Sequence, residues 1–308
     1  MDSVKRNIFV EKFHPKKRPF SWYLLGSFVI VTFSFLGQIP MFFFLPDQLP
    51  NTTDLMGFFY HLDSNLTLFL ILFPSFVAFL GFLLVIYKLH DQTLTSVTTA
   101  RKKIDLKRIL FGFCYWAIVS IIAISTDLII SPEDYQWNFK PLPFLIMFFI
   151  SCLFIPFQSA LEEWIFRGYL LQGFATLTKS RWFSLLLTSI IFGSLHFFNP
   201  EVDKLGYGVM YYYIGTGLFF GIMSLMDEGI ELAIGFHVAN NLLTALIVTA
   251  EWTAFQTESL FKDISNPELL NELILFLVFI YPITLYFLSK KYRWDNWKKK
   301  LISSTNAE

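Results

Sequence analysis

The stretch "PFLIMFFISCLFIPFQSALEEWIFRG", residues 143–168, decides how this chain is read. From Pro143 to Glu162 it is apolar almost throughout. As a helix rising 1.5 Å per residue it covers roughly 28 Å, close to the thickness of a bilayer's hydrocarbon core. Its last turns then place two glutamates and an arginine where hydrocarbon would be expected. The rest of the chain agrees with the apolar part. Of 308 residues, 55% are hydrophobic and 16% charged, and 38 are Phe, whereas soluble domains carry about a quarter charged residues. The length alone would admit one or two soluble domains, but no polar block is long enough to be one.

Apolar runs near 20 residues recur at about 20–45, 67–89, 109–131, 143–165, 182–198, 209–226, 230–250 and 270–289. None alternates with period two. Only helices and closed barrels satisfy backbone polar groups in lipid, so the expected fold is an all-α polytopic membrane protein of about eight transmembrane helices. The first run follows a basic segment, lacks a small-residue cleavage site and is too long for a signal-peptide core, so it reads as a retained span. Basic residues set the orientation. Twenty of the 24 lie in the N-terminal segment, the 88–108 connection, the Lys179/Arg181 turn and the tail from Lys290. Lys140, Lys204 and Lys262 lie on the other side, and Arg167 lies within a span. By the positive-inside rule both termini are cytoplasmic, in a multi-pass protein of the plasma (cytoplasmic) membrane. The formal charge is zero, and nothing in it points to a nucleic-acid partner; the expected surroundings are the lipid bilayer. Cys114 and Cys152 fall inside apolar runs and read as buried packing residues.

Ionisable residues within spans are costly and by default mark function. Asp127 and Glu231 sit near span ends, where water is close. The others form three patterns, E162-E163-x-x-x-R167, F192-x-x-x-H196 and H237-x-x-x-N241. Glu163 and Arg167 share a helix face as an i,i+4 pair, with Glu162 about 140° round from Arg167 at 3.6 residues per turn. His237 and Asn241 present an imidazole and an amide together, and the Phe192 ring can wall one side of His196. Glu162 and His196 each lie 17 residues from Lys179, so an antiparallel hairpin turning there brings them to one level. His237 lies about 12 Å past the turn at Gly229, at a similar depth. This requires the hairpin tip to protrude and leaves Asn199 to Gly208 irregular at membrane depth, which is allowed only along a polar, water-filled cavity. Singly, each pattern is better explained by a buried salt bridge or satisfied core histidines that glue helices together. Three coincident patterns at one depth favour a site, made of groups suited to activating water and stabilising an oxyanion.

This ordered set, "EEWIFR", "FGSLH" and "HVANN", resembles the CPBP (CAAX protease and bacteriocin-processing, or Abi) family of intramembrane proteases over about residues 145–250. The resemblance implies a catalytic core of spans 4–7 at 143–250, preceded by spans 1–3 at 1–142 and followed by a last span and basic tail at 251–308. It implies an intramembrane endopeptidase whose cavity opens to the cytoplasm. Glu162 would be the general base, with His196 sharing its water. Glu163 and Arg167 would form the supporting ion pair, and His237 with Asn241 would stabilise the oxyanion. The family is described as metalloproteases, so Glu162, His196 and His237 could hold zinc, three ligands and an open position being usual for the catalytic ion. A metal-free mechanism is equally compatible with these residues. The implied partner is a membrane-associated peptide or protein substrate, in one branch a lipidated one. The tail "STNAE" is not itself a prenylation signal.

Other classes fit less well. A proton-coupled transporter would use buried Glu, His and Arg but would show inverted repeats. A rhomboid-like serine protease built on Ser194 would need GxSG, and a site-2-type zinc protease HExxH; the chain has neither. A non-catalytic immunity or scaffold protein of the same fold is disfavoured only by the intact motifs.

Overall fold

The structure, a computed structural model, describes residues 9, 18–45, 62–266 and 273–304. Lys5, Arg6, Lys12, Lys16 and Lys17, part of the basic count above, lie outside the described residues. Among the described residues, eight apolar helices fall in the eight expected runs. They are α1 (Phe20–Phe42), α2 (Ser64–Leu89), α3 (Leu106–Ile130), α4 (Pro141–Thr178), α5 (Arg181–Ser194), α6 (Val209–Asp227), α7 (Glu231–Ile247) and α8 (Leu275–Tyr292). Six are long and apolar enough to cross a membrane; α5 and α7 are shorter. Outward faces are strongly apolar, with Phe28, Phe35, Leu110, Ile122, Phe149 and Ile283 all exposed. A bundle that is apolar outside is what lipid requires of spanning helices.

The helix starts are set locally. Asp63 accepts from the Asn65 and Leu66 N–H groups at 3.0 Å, Asp105 from Lys107 at 3.1 Å, and Ser180 from Phe183 at 3.3 Å. Each satisfies a backbone donor that the first turn leaves free. Lys179 at φ 55 and Glu228 at φ 56 end α4 and α6 in the left-handed conformation and reverse the chain. With 38 residues, α4 extends about 57 Å, longer than the roughly 30 Å hydrocarbon core of a bilayer. At 14 residues, α5 covers only about 21 Å. The chain after it, from Leu195 to Gly208, turns and forms the short helix Pro200–Leu205 where irregular backbone was expected, and Asn199, Glu201 and Leu205 line a cavity.

Small residues let α3 and α7 cross closely. A Cβ added at Gly112 would lie 2.7 Å from the Leu232 carbonyl oxygen, and one at Gly235 would collide with that of Ile109. Gly235 thus fixes how near α7, and with it His237, sits to the bundle axis. One end of the bundle is ionic. Arg101 pairs with Asp227 at 2.9 Å and Glu231 at 3.1 Å, and Arg181 donates to Lys299 O at 2.7 Å. At the other end β1 (Tyr135–Trp137), β2 (Val248–Ala250) and β3 (Phe261–Asp263) form a small sheet in the order β1-β3-β2. In it β3 is antiparallel to β1 and parallel to β2.

Three expectations change. The fold is mostly helical, not all-α, because the connections at the far end pair their backbones as strands. Cys114 and Cys152 are exposed: both lie on helix faces turned away from the bundle, so their apolar surroundings in sequence do not mean burial. Glu231 is not near water but fully buried, neutralised by Arg101 reaching over from the 94–105 connection.

Candidate active site

Glu163 and Arg167 come together as the i,i+4 spacing anticipated. The helix widens into a π turn over Trp164–Leu170, a feature frequent at functional sites. Arg167 is buried, donates from Nη1 to Glu163 Oε1 at 2.9 Å and from Nη2 to Gly217 O at 3.3 Å, and lies 4.2 Å over the Phe192 ring. Glu163 Oε1 also accepts from His237 Nδ1 at 2.8 Å. That contact defines the imidazole: Nδ1 carries a proton, and Nε2 points 3.7 Å from Glu162 Oε2. The gap is longer than a hydrogen bond and suits an intervening group.

Glu162 projects away from the ion pair. Its Oε1 accepts from the Gln158 amide, and its Oε2 is buried without a partner. Asn241 donates to Gln158 Oε1 and Ser159 Oγ, each at 3.2 Å. Its carbonyl accepts from Asn240 Nδ2 at 3.2 Å, and Asn240 in turn accepts from Trp116 Nε1 at 3.1 Å. Gln158 therefore links the glutamate to the amide. Neither it nor Asn240 was singled out by sequence, although Gln158 lies one helical turn before Glu162 and Asn240 adjoins Asn241.

His196 reaches the site from α5's end. Its Nδ1 donates to the Phe192 carbonyl at 2.9 Å, leaving Nε2 as the acceptor. The ring stacks on Tyr213 at 4.2 Å and tilts 5.0 Å from Phe192. Phe192 thus serves twice, with its ring under Arg167 and its carbonyl under His196. No hydrogen bond or ion pair joins Glu162 to His196 among the described residues. Instead Glu162, His196, His237 and Asn241 all line one cavity of about 890 Å³. Ser27, Leu170, Glu201 and Trp252 are also among its lining residues. The six expected residues are therefore assembled, but Glu162's near neighbour is His237.

Zinc is a separate matter. Among the described residues no group of three His, Cys, Asp or Glu is spaced to hold a metal ion. Glu162, His196 and His237 share the cavity without converging, and the Gln158 amide engages one Glu162 oxygen. As placed, they do not fit the ion.

Residues 141–243 match the family profile described as "Type II CAAX prenyl endopeptidase Rce1-like". The matched range opens at the first residue of α4 and contains all three patterns. The chain is 32% identical over 155 residues, 50% of its length, to the "Uncharacterized protein YyaK" of Bacillus subtilis (strain 168). It covers 52% of that relative, about half its length. No solved structure matches the chain. The matched range and the residues assembled within it make residues 141–243 a domain of the Rce1-like type II CAAX prenyl endopeptidase family, of the CPBP/Abi group.

Proposed function

We propose that this protein is an intramembrane endopeptidase that hydrolyses a peptide bond with a water activated by Glu162. The observation that carries the reading is the unpartnered Glu162 Oε2, 3.7 Å from His237 Nε2 and facing a cavity lined by His196. A water there gives a proton to Glu162 and is oriented by His196 Nε2. Its oxygen attacks the carbonyl carbon, and the negative charge develops on the carbonyl oxygen. His237, when Nε2 bears a proton, donates to that oxygen, and the Asn241 amide does so by giving up one of its two present acceptors, Gln158 Oε1 or Ser159 Oγ. Donors fixed in advance in a dry site are the largest single contribution to such reactions. Glu162 then returns its proton to the leaving nitrogen as the C–N bond breaks, yielding an amine and a carboxylic acid, whose proton passes to the amine as the products separate. Glu163 and Arg167 act through His237 by holding its Nδ1.

In this reading residues 143–250 are the catalytic core. Spans 1–3 (1–142) close the cavity, with α1 and α2 contributing Ile30, Ser34, Ile71 and Ser75, and 251–308 supply the last span and tail. All eight helices are embedded in the plasma membrane with both termini cytoplasmic. The substrate is a membrane-associated peptide or protein, lipidated where the apolar arm of the cavity takes an acyl or prenyl chain. The test is cleavage by the purified protein in liposomes, with new termini identified by mass spectrometry, against Glu162→Gln and His196→Ala. Glu162→Gln is nearly isosteric but takes no proton, so turnover should fall by about 10²–10⁴. Undiminished cleavage by Glu162→Gln refutes the assignment.

A further inference from the structure

The cavity holds a second carboxylate that the chemistry above does not use. Glu201, in the short helix Pro200–Leu205, lines it beside Asn199, Tyr213 and Trp252. Its Oε1 accepts from the Ala254 N–H at 2.8 Å, tying this helix to the segment after β2, while its Oε2 is buried with no hydrogen-bond partner. Burial pushes the carboxyl above its ordinary value, against the opposing pull of the Ala254 N–H. Trp252 supplies a complementary gap: its indole Nε1 is buried, also without a partner. Buried polar groups in native proteins are nearly always satisfied, and each exception calls for a reason. Here a carboxylate acceptor and a neutral donor are both unmet in the lining of one cavity, and the Ala254 N–H on Glu201 ties that carboxylate to the segment that carries Trp252.

The charge of the cavity points the same way. Among the described residues lining it, Glu162 and Glu201 are the acidic ones, and there is no Lys or Arg. Arg167 is committed to Glu163. Lys204, on the same short helix, turns outward to Asn266 at 3.3 Å. A carboxylate removed from water without a cation is costly, and a low-dielectric cleft of one sign concentrates ligands of the other.

We propose that Glu201 is a specificity-determining residue. It receives the ammonium of a lysine or the guanidinium of an arginine in the substrate peptide, while Trp252 Nε1 donates to a nearby backbone carbonyl. This rests on the peptidase reading above and names its substrate class: a peptide with a basic side chain close to the bond that is cut. The spacing is set by Tyr213, whose ring stacks on His196 at 4.2 Å and whose hydroxyl hydrogen-bonds Asn199 within electrostatic reach of Glu201. The basic side chain thus lies one aromatic ring away from the reacting groups.

The experiment uses the full-length protein in nanodiscs carrying Glu162→Gln, so that binding is read without turnover. The probes are fluorescent, end-capped decapeptides of Ala, Leu and Ser in which one Lys is moved along the chain, with norleucine at the same position as the uncharged control. The expected result is that Lys binds about tenfold or more tighter than norleucine at one or two positions, the size of one charge-assisted hydrogen bond. Adding Glu201→Gln, which keeps a carbonyl for Ala254, should abolish that preference and leave the norleucine peptide unchanged. Adding Trp252→Phe should weaken both peptides several-fold and preserve the preference. Unchanged elution profiles confirm that the variants are folded; if Glu201→Gln alters them, Glu201→Asp, which keeps the charge, should keep the preference. Equal binding of Lys and norleucine at every position, a preference that survives Glu201→Gln, or no binding by any peptide overturns the proposal. Because the readout is binding, a wild-type protein that binds Lys peptides but cleaves nothing refutes the peptidase reading alone.

Discussion

Neutralising the buried ion pair one member at a time separates its structural role from its role in orienting His237. Glu163 is 0% exposed and Arg167 1%, so neither charge has water to fall back on. Removing one partner of such a pair costs about 3–5 kcal/mol. In Glu163→Gln a neutral carbonyl still accepts from Arg167, which returns about 1 kcal/mol; the expected loss is therefore about 2–4 kcal/mol. Arg167→Met forfeits the full 3–5 kcal/mol, together with about 1 kcal/mol for the guanidinium over Phe192. Together the two changes bury no charge, and Met fills much of the arginine's volume. The double variant is therefore expected within about 2 kcal/mol of the parent, far from the roughly 6 kcal/mol or more of simple additivity. Unfolding by SDS in mixed micelles, followed by Trp fluorescence, reads these differences. Cleavage should behave differently: the double variant regains stability but stays impaired, since an amide replaces the carboxylate that holds His237 Nδ1 at 2.8 Å. Additive losses, or single losses below about 1 kcal/mol, would show that the pair is not a desolvated ion pair. Full activity in the double variant would remove Glu163 from the orientation of His237.

Asn241→Ala should lower kcat by about 10²–10³, with KM and stability nearly unchanged. Asn241→Asp should be worse, because a carboxylate repels the developing charge; equal activity of the two would end the oxyanion role. Chelators are expected to leave cleavage intact, and stoichiometric zinc by elemental analysis, lost in Glu162→Gln, would reverse that expectation. Reporter fusions after residues 96 and 300 should read cytoplasmic, and those after 54 and 258 extracytoplasmic; a cytoplasmic reading at 258 would break the eight-span topology.

The sequence by itself determined the elements and the chemistry within each helix. Apolar runs placed all eight helices, because lipid exposure and helical hydrogen bonding are conditions that each segment must meet alone. The Glu163–Arg167 contact and the Phe192 ring beside His196 were legible because spacings of four residues are fixed by the helix itself. Equal distances from Lys179 brought Glu162 and His196 to the same cavity for a similar reason. What lay beyond one helix was not legible. His237 becomes Glu162's near neighbour through the close crossing of α7 on α3 at Gly235. Gln158 connects Glu162 to Asn241 only because α4 and α7 pack side by side. Cys114 and Cys152 were misread because hydropathy measures how apolar a helix is and not which face meets its neighbours. Glu231 is buried because Arg101 reaches it from 130 positions away. Glu201 and Trp252 lie in stretches with no pattern and share a cavity only through the fold. Contacts between helices depend on side-chain volumes and crossing angles summed over many residues, and only the tertiary structure decides them.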